Sequence, residues 1–209
     1  MVRKFMLVIG AVALAVSWTA TAQAKPATKP DKITFTSGWT ETKLDVNGNV
    51  TSVRSGDKSQ QPYAAQAAQI EDVATTGVST PFAGVVTNSA SGCVSVDWYE
   101  SGHSALFGTL VYRFHQTKYW CWSYPSITTV SVGTYVSNVD SSEAYRGLVS
   151  SDGYFYNWSG SARGGHYSLR QGHFENCVIK YGCIGSSYPW TKIYVNGNGA
   201  WVGYDGGGA

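Results

Sequence analysis

KYWCWSYP, residues Lys118 to Pro125, sets Trp120 and Trp122 around Cys121 and follows them with Tyr124. Side chains alternate faces along a strand, so Trp120, Trp122 and Tyr124 share one face while Tyr119, Cys121 and Ser123 share the other. Two readings compete. On a wet face the tryptophans would be a stacking platform for sugar rings; on a dry one they would be core, packed beside a disulfide as in other sandwiches. The run CVSVDWY, residues 93–99, arbitrates: Val94, Val96 and Trp98 share a face, so Cys93 projects with Ser95 and Asp97 on the wetter side. If Cys121 also lies on the less apolar side, Trp120 and Trp122 turn inward as the wall of a core.

The preceding run LFGTLVYRFH, residues 106–115, reads as a hairpin partner of this strand, with a short turn at about Gln116-Thr117. An even loop would set Arg113 on the tryptophan face and Tyr112 on the Cys121 face; an odd one swaps them. In the even case Arg113 stacks on Trp120 and Trp122, a cation–π contact of about 1 kcal/mol.

Cys93 and Cys121 belong to a set of four cysteines with Cys177 and Cys183. An even number in an exported chain reads as two disulfides. CVIKYGC, residues 177–183, closes as a hairpin with a five-residue loop and favours Cys177–Cys183, which leaves Cys93–Cys121 by elimination. A metal site would need a further ligand pair at suitable spacing, and none is present.

From Gly92 onward, short β-branched and aromatic runs are divided by Gly, Asn, Ser and Asp: ITTVSVGTYV, GYFYNWS, HYSLRQGHFENCV and TKIYVNGNGAWVGY continue the series. This is the pattern of an all-β antiparallel sandwich or Greek-key-like barrel. Residues 91–209 form that aromatic-rich, disulfide-bonded domain. Residues 25–90 read as an appendage: a proline-bearing linker, a hairpin around Asn47-Gly48, and one short helix over PYAAQAAQIEDVATTG with Tyr63, Ala67, Ile70 and Ala74 on one face. VNGN occurs at 46–49 and at 195–198, which reads as one turn chemistry used twice.

Residues 1–24 have the layout of a secretory signal: Arg3 and Lys4, an apolar run to about Trp18, then Ala22-Gln23-Ala24. The run is shorter than the roughly 20 residues that span a bilayer, so membrane insertion is not expected after cleavage. Removing these residues takes away two bases and no acid, leaving 13 Lys and Arg against 13 Asp and Glu. A neutral chain with scattered bases lacks the basic stripe that phosphate binding requires, so nucleic acid is not an expected partner.

Catalytic signatures are weak. GHSAL, residues 102–106, resembles a nucleophile elbow but lacks the last glycine and the strand-turn-helix around Ser104. His166 and His173, seven apart, fall on opposite faces of an unbroken strand, while His173 and Glu175 share a face and are the first choice for acid–base work. No cofactor and no metal is implied, and nothing in the residues speaks to oligomeric state. The aromatics that a core absorbs least easily are Tyr154, Tyr156 and Trp158 on one face of GYFYNWS, and Tyr188 and Trp190 in the loop-like IGSSYPWT. The expectation is a secreted, non-catalytic binding module for a glycan or cell-envelope polymer, with Trp190, Trp158, Tyr124 and Tyr188 as the contact residues. The alternatives are a structural or protein-interaction protein with internal aromatics, and a small secreted hydrolase.

Overall fold

Among the described residues, the runs rich in Val, Thr, Ile and aromatic residues become ten strands, because branched and ring side chains pack well on a pleated surface. The computed structural model describes residues 32–45, 47–64, 90–178 and 182–208. In chain order the strands are β1 Ile33–Leu44, β2 Val50–Asp57, β3 Ser91–Ser104, β4 Leu110–Ser123, β5 Ser126–Ser137, β6 Glu143–Trp158, β7 Ser161–Val178, β8 Gly182–Ser187, β9 Trp190–Asn196 and β10 Trp201–Gly206. They form two antiparallel sheets, ordered β2-β1-β3-β4-β5 and β10-β9-β7-β6, with β8 pairing the far end of β7. This is the sandwich that the alternating runs predict.

Three expectations change. The 45–49 hairpin is not an appendage, because β1 pairs with β3 from Ile33↔Ser104 to Leu44↔Cys93 and so lies inside the first sheet. No turn interrupts residues 110–123: β4 is one strand, and Gln116 and Thr117 sit within it. Strict alternation then places Arg113 on the Cys121 side and Tyr112 inward, and Arg113 stacks on Tyr99 at 5.1 Å instead of on the tryptophans. The helix expected over residues 62–77 falls almost wholly outside the described residues, as do the segments expected as leader and linker.

The inward row of β4 organises the interior. Trp120 and Trp122 are buried with Trp39, Trp98 and Trp201 in one cluster, where Trp201 packs edge-on against Trp39 and Trp98 at 5.5 and 6.0 Å. Tyr112 and Phe114 belong to a second cluster, in which Tyr112 stacks on Phe174 at 3.8 Å. Between the two lies a polar belt. Gln116 Nε2 donates to Ser168 Oγ at 2.7 Å, Thr191 Oγ1 donates to Gln116 Oε1 at 2.9 Å, and Lys118 Nζ donates to Ser168 Oγ and to the His166 and Ile193 carbonyls. Buried polar groups persist only when paired in this way.

Both disulfides have the expected partners. Cys93 and Cys121 are directly opposed on β3 and β4, with Cα atoms 4.1 Å apart, on the face away from the tryptophans. Cys177 and Cys183 close the β7–β8 hairpin at 3.8 Å. The two VNGN copies do not occupy equivalent positions. In the first turn Gly48 (φ +82°) donates to Asp45 O, and in the second Gly199 (φ +84°) donates to Asn196 O. The matching dipeptides are thus Asn47-Gly48 and Asn198-Gly199, and the shared letters are offset by two residues.

Candidate functional site

The four aromatics expected to carry binding separate into two pairs. Tyr124 is 56% exposed and packs edge-on against Trp158 at 6.0 Å, with its hydroxyl 3.1 Å from Ser159 Oγ. Trp158 itself is only 3% exposed, contrary to the expectation of a contact residue. Register slips between Tyr156 and Trp158 and the ring drops into a cluster with Tyr156, Tyr167, Tyr194 and Val202. Tyr188 is exposed and stacks on His173 at 4.8 Å. Trp190 does not sit in a loop: it opens β9 and is half-buried on the outward face of the second sheet.

That outward face joins the two pairs. Its β9 residues are Trp190, Lys192 and Tyr194, since Thr191 and Ile193 point into the core. Tyr154 on β6 pairs with Tyr167 on β7, and Tyr167 pairs with Tyr194 on β9, giving three tyrosines in register across three strands. Their centroids are 4.8 and 5.0 Å apart, and Tyr204 of β10 extends the row at 5.9 Å. Lys192 Nζ lies 5.7 to 6.0 Å from the rings of Trp190, Tyr194 and Tyr204, so one ammonium serves three aromatic faces. Exposure rises toward the margins: Tyr194 is 2% exposed and Tyr154 41%. The row therefore has a packed middle and accessible edges.

Each tyrosine stands out in its own run, and spacing alone puts Tyr154 and Tyr156 on one face. What sequence reading missed was the row, because cross-strand register is set by strand order and bulges, neither of which one strand encodes.

Acid–base alternatives do not converge where expected. His173 Nε2 contacts Ser186 Oγ at 3.2 Å, and Glu175 is ion-paired with Arg146 at 2.7 Å, so each has another partner. Ser104 ends β3 and leads into a hairpin loop, where it accepts the Phe107 N–H, so no elbow forms. Glu175 also lies near the sulfurs of Cys177 and Cys183, but these are bonded to each other and offer no thiolate. A cavity of about 330 Å³ opens near the Cys93–Cys121 disulfide, with Trp122, Tyr63 and Leu44 as apolar lining and Lys43, Asp45, Thr51 and Ser91 as polar lining.

No family model, curated protein or solved structure matches this chain. Two disulfides fit an oxidising environment, and among the described residues no helix is long and apolar enough to cross a membrane.

Proposed function

We propose that the protein is an exported binding module that engages a glycan or cell-envelope polymer through the outward face of its second sheet. The observation that carries this reading is the accessible margin of the in-register tyrosine row, where Tyr154 is 41% exposed and Trp190, Lys192 and Tyr204 are half-buried around the packed Tyr167 and Tyr194. Ring faces and phenolic hydroxyls together suit a sugar, which offers both apolar C–H faces and hydroxyls. The signal-like leader and the disulfides fit a protein that works outside the cytoplasm.

Retention on a panel of insoluble polysaccharides and cell-wall preparations tests it. The folded protein should be held by at least one matrix, and Tyr154→Ala and Lys192→Ala should release it while circular dichroism shows the fold retained. Absence of retention on every matrix would leave the structural reading in its place. That second reading has its own support in the burial of Tyr194 and Trp158, which shows part of the aromatic face packing on itself.

A further inference from the structure

The outward face of the first sheet carries a polar cluster that neither the cores nor the tyrosine row uses. Odd-numbered residues of β3, β4 and β5 share this face, and Asp97, His115 and Ser137 stand on these three adjacent strands. His115 Nδ1 is 3.1 Å from both Asp97 carboxylate oxygens, and His115 Nε2 is 2.8 Å from Ser137 Oγ. A carboxylate only accepts, so Asp97 assigns the ring proton to Nδ1 and leaves Nε2 to accept from the Ser137 hydroxyl. That is the connectivity by which a serine is made nucleophilic, and it is recognised by geometry and not by chain order.

The surroundings hold the imidazole and leave Ser137 part-exposed. Tyr135 stacks on His115 at 4.1 Å and donates its hydroxyl to Asp97 Oδ2 at 2.6 Å, while Tyr99 packs on the ring at 5.4 Å. His115 is 6% exposed, whereas Ser137 is half-buried. Asn138 takes φ +52° and ends β5 immediately after the serine. Arg113 is the residue directly opposite Ser137 in the β4–β5 register, and its buried Nε has no hydrogen-bond partner among the described residues. The Arg113 guanidinium, stacked on Tyr99 at 5.1 Å, thus lies on the same face as the serine, one strand across from it.

We propose that Ser137, His115 and Asp97 form an acyl-transfer site that hydrolyses carboxylic esters, with Arg113 stabilising the oxyanion. Ser137 Oγ attacks the ester carbonyl carbon as its proton passes to His115 Nε2. The carbonyl electron pair moves onto oxygen beside Arg113, then returns as the C–O bond breaks and His115 gives its proton to the leaving alcohol. Water, with His115 again as base, releases the carboxylic acid and restores Ser137. Asp97 is a positioning residue that fixes the ring. Small acyl esters are the substrate class, because the site lies on an open sheet face and an alkoxide departs more readily than an amine.

Full-length protein is incubated with a fluorophosphonate probe and, separately, with p-nitrophenyl acetate. One adduct per chain is expected, mapped by mass spectrometry to Ser137, with ester turnover in parallel. Ser137→Ala should abolish both, and His115→Gln should slow both by about 10²-fold or more. Asp97→Asn should slow them, and Asp97→Glu should restore part of the rate, a rescue that a purely architectural role would not give. Ser137→Ala removes one oxygen from a half-buried position and keeps the test decisive if His115→Gln fails to fold. A folded wild-type chain that takes no adduct, takes it at another serine, or reacts equally as Ser137→Ala overturns the proposal.

Discussion

Lys118 of the first sheet donates from Nζ to the Ile193 carbonyl of the second at 2.8 Å, and so fastens the two layers through the middle of the sandwich. Burial drives the amine well below its ordinary range, and the charge of Arg170 adds to this. Replacing Lys118 by Met fills similar volume but withdraws donors from the His166 and Ile193 carbonyls and from Ser168. The expected cost is about 1–3 kcal/mol, read from urea denaturation. The folded chain binds this proton less tightly than the unfolded chain, whose value is near 10.5, so the wild type gains stability as pH rises toward that value. Lys118→Met removes that gain, and its deficit should widen with pH.

Glu100 gives the opposite slope. It is fully buried on β3, accepts the Trp190 N–H at 3.1 Å, and is pushed up to about 9 by burial, with the negative charge of Asp205 adding to the shift. The folded chain holds the proton more tightly than the unfolded chain, whose value is near 4.5. The resulting stability is complete below pH 4.5 and is lost as pH rises through about 9. Each pH unit in that window removes up to about 1.4 kcal/mol. Glu100→Gln cannot ionise, so its stability relative to wild type should increase steadily from acid to alkaline buffer. Taking the difference between the two proteins cancels the contributions of His166 and Lys118, which run the other way. A difference that does not change with pH would show that Glu100 is solvated.

These two groups mark the limit of what the sequence discloses. Alternation at period two was enough to place Trp120 and Trp122 inward and Cys93 and Cys121 outward, because every residue of a half-buried strand obeys it. It also holds through Gln116 and Lys118, but Gln116-Thr117 reads as a turn, since polar side chains are stable inside a strand's buried face only with partners that arrive from another sheet. The same holds for Asp97, His115 and Ser137, each unremarkable in its own strand and joined only by register. Trp158 keeps to the face that its spacing implies, but rings from neighbouring strands, Tyr167 and Tyr194, cover it there, and the spacing of one strand does not show what its neighbours bring. The cysteines were legible because a five-residue loop limits what Cys177 can reach.

The disulfides should contribute unequally. Cys93–Cys121 spans 28 residues and Cys177–Cys183 only 6. Loop-closure entropy assigns about 3.5 kcal/mol to the first and about 2 kcal/mol to the second. Paired serine variants, Cys93→Ser with Cys121→Ser and Cys177→Ser with Cys183→Ser, compared by chemical denaturation, should differ in that order. Equal losses would mean that the unfolded chain is already compact around one of the pairs.

Trp190 and Trp158 should part company when each is removed. Six of the seven described tryptophans, Trp39, Trp98, Trp120, Trp122, Trp158 and Trp201, are buried, and Trp190 alone among them is half-buried. Trp18 lies outside the described residues, in the segment expected to be a leader, so in a chain beginning at Lys25 the quencher-accessible emission should come from Trp190. Trp190→Phe should then abolish most acrylamide quenching while leaving the blue-shifted core emission intact. Trp158→Ala should instead cost about 3–5 kcal/mol, the usual penalty for emptying a large aromatic site, with little change in quenching. If Trp158→Ala proves nearly neutral in urea and Trp190→Phe leaves quenching unchanged, the aromatic face is packed the other way round, and polymer contact should be sought at the Tyr124 end of the sheet.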